Sequence, residues 1–100
     1  MTLNDKSERY CRVCGLDQGE EEVRTKSGRA TFNICDCCGV EFGYEDAIEV
    51  GYSISSYRQK WLYNNNAEWF NIKTKPKNWS LCKQLKNISE KYKDEWIKLL

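Results

Sequence analysis

An α+β fold is predicted for this 100-residue chain by three observations. Two Cys-x-x-Cys-Gly motifs stand 20 residues apart, at Cys11–Gly15 and Cys35–Gly39. An alternating stretch brackets a Ser27-Gly28 turn between them. After residue 45 the apolar residues recur at helical spacing, at Ala47, Val50, Ile54, Tyr57, Trp61 and Leu62, and again at Leu81, Leu85, Ile88, Tyr92, Trp96 and Leu99. The expected architecture is a β-hairpin head with a four-cysteine metal site over 10–44, followed by two or three helices over 45–100. The whole is one domain, with a flexible N-terminal segment over 1–9.

The cysteine spacing carries the most chemistry. A tetrahedral ion needs four sulfurs at about 2.3 Å. A two-residue spacer lets one tight turn aim two thiolates at one point, while the N–H groups of that turn face the sulfurs. The glycine that follows each pair can adopt the positive φ that leaving such a turn requires. Cys11, Cys14, Cys35 and Cys38 are therefore the expected ligands of one structural Zn²⁺ in a zinc-ribbon-like head. Rubredoxin-type iron uses the same four sulfurs, so iron stays open. Cys37 falls inside the second motif as a spare thiol, with a Cys35/Cys37 pair as the alternative bite. Cys82 is expected to be a small buried hydrophobe. A disulfide framework is the competing use of six cysteines. Residues 1–10 lack the apolar run of a secretory signal, which favours reduced thiols and a cytoplasmic location.

Within the head, Glu21–Lys26 and Arg29–Ile34 read as two strands, with Ala30, Phe32 and Ile34 on one face. Gly39–Tyr44 reads as a short extended piece. A helix is expected over 45–64, its first turn rich in Glu45, Asp46 and Glu49, weakened near Gly51 and ended by Asn64-Asn65-Asn66. Ser80 is a plausible N-cap for a last helix over 80–99, continuous or broken near Asn87-Ile88-Ser89.

Composition narrows the function. Leu, Ile, Val and Phe total only 20 residues, a small core for which a metal compensates. No histidine is present, which removes histidine-based acid–base catalysis and histidine-containing zinc sites. A four-thiolate site has no open position for substrate, and Glu41, Glu45 and Asp46 read as a capping cluster rather than an acid/base pair. No enzyme activity is expected. No apolar run reaches membrane-spanning length. Charge is asymmetric: 6 Lys/Arg against 11 Asp/Glu over residues 1–50, and 10 against 4 over residues 51–100. An acidic head suits a basic partner.

The segments Tyr10–Gly15, Ile34–Asp46, Tyr57–Trp61 and Pro76–Ile88 together resemble small bacterial cysteine-rich proteins, loosely those of the CPCC type, although Asp36 stands where that knuckle carries proline. The resemblance implies a cytosolic protein with Cys11, Cys14, Cys35 and Cys38 as ligands, and an immunity or accessory role in a bacterial toxin system. A protein-interaction module is accordingly the expected function, with Trp69, Phe70, Lys73, Lys75, Lys77 and Trp79 as the partner surface. The alternative is nucleic-acid binding by the basic, aromatic stretch 69–86, which adds Lys83 and Lys86. A near-neutral pI of about 7.5 weighs against it. A reactive Cys37 in a metal–thiolate redox device is a third reading.

Overall fold

The computed structural model describes residues 8–100. Among these residues there is no β-strand, which corrects the expected β-hairpin head. Four isolated antiparallel bridges stand in its place: Glu8 with Arg24, Tyr10 with Asp17, Arg24 with Ala30, and Ile34 with Glu41. The predicted hairpin keeps its turn, closed by Gly28 N–H to the Thr25 carbonyl and Thr25 N–H to the Arg29 carbonyl, both 2.9 Å. It fails to propagate because Phe32 takes φ 60°, a left-handed conformation that a ladder cannot contain. The expected common face of Ala30, Phe32 and Ile34 is therefore lost, and Phe32 and Ile34 are exposed. Gly39–Tyr44 is likewise a bridge at Glu41 followed by turns rather than an extended strand. Most of the flexible segment expected over 1–9 lies outside the described residues. Glu8 and Arg9 are tied down, through Glu8 N–H to Arg24 O (3.0 Å) and Gln18 N–H to Arg9 O (2.9 Å).

The helical half is made of short pieces. The helix expected over 45–64 begins only at residue 54. A single 3₁₀ turn, Ile48–Val50, ends on Gly51 at φ 96°, and Ser53 then caps helix α1, Ile54–Gln59, by accepting from Ser56 N–H at 3.1 Å. A π turn, Lys60–Asn64, prolongs α1 and stops at the asparagines, where Asn66 and Ala67 both have φ 54°. The last helix is not continuous. Helix α2 is Leu81–Leu85 with Ser80 as its N-cap, and helix α3 is Glu95–Lys98, with a 3₁₀ turn at Glu90–Tyr92 between them. A further 3₁₀ turn lies at Ile72–Thr74. No helix among the described residues is long and apolar enough to cross a membrane.

With so little regular structure, the core is organised around sulfur. Cys11, Cys14, Cys35, Cys37 and Cys38 pack with Val13, Val23, Val40, Phe42, Ile54, Trp61 and Trp69 in one buried cluster. Leu85, Ile88 and Ile97 form a second, smaller one, bridged to the first by Leu81 and Tyr92. Cys82 is exposed, contrary to expectation, because α2 turns Leu85 inward and Cys82 outward.

Buried ion pairs do work that strands would otherwise do. Asp46 is fully buried and grips the Arg24 guanidinium with both oxygens at 3.1 Å, while its Oδ1 also accepts from Gly43 N–H at 2.7 Å. Asp46 thus joins the hairpin to the second half of the head instead of serving a helix N-terminus. Removing one partner of a buried pair strands the other charge. Asp46→Ala is therefore expected to lose about 3 kcal/mol or more in chemical denaturation, and Arg24→Met/Asp46→Leu together much less. Equal losses from the single and double variants would contradict this view of the pair.

Candidate metal centre

The two knuckles are built alike, at an offset of 24 residues. Cys11 N–H donates to Leu16 O (3.0 Å) as Cys35 N–H does to Val40 O (2.9 Å). Gly15 N–H returns to Cys11 O as Gly39 N–H returns to Cys35 O, both 2.9 Å. Gly15 and Gly39 have φ 83° and 79°, the conformation that the sequence pattern anticipates. The bridges Tyr10–Asp17 and Ile34–Glu41 close each loop at the equivalent place.

Facing each other, the knuckles bring Cys11, Cys14, Cys35 and Cys38 together, with all four sulfurs within 4.8 Å of one another. Cys11 lies 3.6 Å from Cys38, and Cys14 3.6 Å from Cys35, so each knuckle's first sulfur meets the other's second. The cysteines are free thiols rather than disulfides. Four sulfurs at about 2.3 Å from one ion would stand about 3.8 Å apart, so the residues fit a tetrahedral metal with only small adjustment. Cys37, fully buried, stands outside this set, and its sulfur accepts from Gln84 Nε2 at 3.3 Å.

Electrostatics point the same way. Burial pushes the thiols of Cys11, Cys14 and Cys38 above the ordinary cysteine range. Cys35 is held far below it by hydrogen bonds from Cys11, Cys14 and Cys38, helped by the Cys38 backbone N–H. A buried pocket disfavours each further thiolate charge. A dication removes that penalty by displacing the remaining protons. Gln18 Nε2 adds a donor at 3.5 Å from the Cys35 sulfur.

The outer face of the centre explains the rest of the fold. In such a turn the N–H groups face the sulfurs, and the carbonyls of the four residues point away and need donors. Cys11 O and Cys35 O are met by the two glycines. The other six are met by the chain beyond residue 56. Arg58 donates from Nη2 to Arg12 O (2.9 Å) and from Nε to Val13 O (2.7 Å), and Gln84 Nε2 donates to Cys14 O (3.2 Å). Around the second knuckle, Asn71 N–H reaches Asp36 O (2.8 Å), Phe70 N–H reaches Cys37 O (2.9 Å) and the Tyr57 hydroxyl reaches Cys38 O (3.3 Å). Each knuckle is capped three times by the C-terminal half.

Arg58, Gln84 and Tyr57 are the residues that sequence reasoning missed. Arg58 had one available signal: it lies between Ile54 and Trp61 on the stripe that faces the core, where a charge is out of place unless it has partners. Buried completely, it also donates to Tyr92 O at 2.7 Å and faces the Asp94 carboxylate at 3.1 Å as a charge contact without hydrogen-bond alignment.

Gly15 is where α2 comes closest. A Cβ built there would collide with the backbone carbonyl of Gln84 and press on the Ile88 side chain. Gly28 has almost the same φ, 84°, with open space around it. Gly28→Ala is therefore expected to cost about 1–2 kcal/mol, the left-handed conformation alone. Gly15→Ala must also displace α2 and is expected to cost about 4 kcal/mol or more. Thermal unfolding of the two variants side by side checks the difference, and similar melting shifts would contradict it.

The expected partner surface divides on inspection. Trp69 belongs to the core, its ring meeting that of Trp79 edge-on at 5.6 Å, so Trp69 is withdrawn from that surface. Trp79 is half-buried, its Nε1 bound to Gln84 Oε1 at 2.8 Å and its ring covered by the Lys75 ammonium at 5.1 Å. Phe70, Lys73, Lys75 and Lys77 are exposed. Glu41 and Glu45 do form a local capping contact, Glu41 N–H to Glu45 Oε1 at 3.0 Å, while Asp46 is occupied by Arg24.

No family model, characterised protein or solved structure compared with this chain matches it.

Proposed function

We propose that this chain is a zinc-stabilised protein-interaction module. The observation that carries the reading is the closed character of the sulfur cluster. Cys11, Cys14 and Cys35 have no exposed surface and Cys38 has 7%. Four protein ligands fill a tetrahedral ion, which leaves no position for water or substrate and makes the centre structural in kind. Zinc suits four thiolates in a site that requires no redox change. Buried free thiols, together with an exposed free Cys82, suit a reducing compartment, which supports a cytoplasmic location. The function then rests on what the surface binds. The resemblance to CPCC-type cysteine-rich proteins puts a toxin first among the protein partners to be tested.

The direct test is native mass spectrometry of the full chain purified gently from its host. The reading expects the chain mass plus one zinc, with a second polypeptide on part of the population. A chain lacking metal, with its mass reduced by paired cysteines, would overturn the metal centre. A zinc-loaded chain that never carries a protein partner would overturn the interaction role.

A further inference from the structure

We infer that the ridge formed by Phe70, Ile72, Lys73, Lys75 and Lys77 docks an acidic polypeptide segment that also carries apolar side chains. The inference rests on the interaction-module reading and names its partner class. Three observations carry it.

The first is charge that the molecule leaves unanswered. Four carboxylates of the acidic head are answered from within: Glu8 and Glu49 bind Arg12, Asp17 binds Arg9, and Asp46 binds Arg24. Residues 69–89 hold five lysines and no acidic residue. Among the described residues none of these five forms an ion pair, whereas Lys93 and Lys98 both do. Clustered cations repel one another, and an anionic partner relieves that repulsion.

The second is apolar surface beside that charge. Phe70 and Ile72 are each 65% exposed, and residues 72–78 are exposed without interruption. For stacking on bases the ridge offers the single ring of Phe70, because Trp69 is buried and the Trp79 ring is taken by Trp69 and Lys75. Ile72 meets an aliphatic or aromatic side chain better than it meets a nucleobase, so a polypeptide fits better than a nucleic acid.

The third is that the ridge is held in shape before anything binds. Its start is fixed to the second knuckle by Phe70 N–H and Asn71 N–H. Its middle is a 3₁₀ turn, closed by Thr74 N–H to Asn71 O (3.1 Å) and Lys75 N–H to Ile72 O (3.2 Å). Its end is anchored by Trp79 on Gln84. A surface already ordered loses little entropy on binding. Because the first anchor is the knuckle itself, the shape of the ridge is tied to the shape of the knuckle.

The test uses zinc-loaded full-length chain and a fluorescein-labelled Glu-rich peptide containing Phe and Leu, followed by anisotropy. Saturable binding is expected, weakening as salt is raised. Lys73→Glu/Lys75→Glu/Lys77→Glu should weaken it at least about tenfold, and the milder Lys73→Gln/Lys77→Gln about threefold. Lys60→Glu, an exposed charge change on the α1 side, should leave it unchanged. Zinc content and circular dichroism are recorded on each sample. Chain without zinc would defeat the module reading. Folded, zinc-loaded chain that ignores the peptide, or binds it equally after triple reversal, would defeat this inference alone. Tighter binding of single-stranded DNA than of the peptide would also overturn it, and would assign the ridge to nucleic acid.

Discussion

Cys14→Ser is expected to leave the whole chain unfolded under conditions where the wild type is folded. A serine hydroxyl is a poor zinc ligand, and the three remaining thiolates could not be buried together without a cation to offset their charge. Metal binding at a structural zinc site supplies about 10–16 kcal/mol at neutral pH. A domain's whole stability is typically about 5–15 kcal/mol. Loss of the metal therefore removes all of it. The same outcome is expected for Cys11, Cys35 and Cys38. Because the C-terminal half hangs on six knuckle carbonyls, the helices should be lost together with the head, visible as loss of ellipticity and a red shift of tryptophan emission. Cys82→Ser, on the surface, should change stability by less than about 0.5 kcal/mol. Cys37→Ser keeps an acceptor for Gln84 and should cost about 1 kcal/mol. Equal damage at all six positions would refute the ligand set. Burial raises the thiols of Cys11, Cys14 and Cys38, and zinc binds thiolates by displacing protons, so apparent affinity rises with pH and falls on acidification.

Arg58→Ala is expected to cost about 5 kcal/mol, the largest effect of any residue that touches no metal. The guanidinium is fully buried and satisfies three carbonyls, those of Arg12, Val13 and Tyr92. Truncation leaves all three without a donor and leaves Asp94 without its cation. Each abandoned buried polar group costs about 1–3 kcal/mol. Arg58→Lys should recover little, since one ammonium cannot span carbonyls on either side of a planar fork. A zinc–thiolate centre carries a formal charge of about −2, so a cation behind the first knuckle also opposes charge build-up. Urea denaturation of the zinc-loaded variants measures the loss. A change below about 1.5 kcal/mol would show that the carbonyls find other donors.

The metal centre was legible in the sequence because a knuckle is a local object. Four residues and a glycine determine its shape, and both copies repeat the pattern at the same spacing. Ser80 illustrates the same point: it was readable as a cap because its acceptor role reaches only three residues ahead. The break near Asn87-Ile88-Ser89, one of two readings of the last stripe, is present because the chain closes tightly there, through Asn87 N–H to Gln84 O and Ile88 N–H to Leu85 O. The hairpin was misread because alternation of Ala30, Phe32 and Ile34 describes side-chain polarity, not φ. Phe32 at φ 60° breaks a strand that its composition favours. The long helix was misread because Val50 matches the period yet is 70% exposed, immediately before Gly51, where the chain turns. The carbonyl caps are long-range: Arg58 and Val13 are 45 residues apart, and Gln84 and Cys14 are 70 apart. No short pattern encodes such a pairing. The expected Asp46 cap and buried Cys82 failed for the same reason, since their fate depends on Arg24 and on the packing of α2.

The central claim is that metal binding and the folding of both halves are one event. Zinc titrated into chelator-treated chain measures this most directly, with far-ultraviolet circular dichroism and tryptophan emission recorded on each point. Trp61 and Trp69 report from the core beside the sulfurs, and α1 to α3 report from the capping half. The account predicts that both signals rise together and stop at one zinc per chain. Native helix content and emission already present without zinc, or complete well before one equivalent, would contradict it.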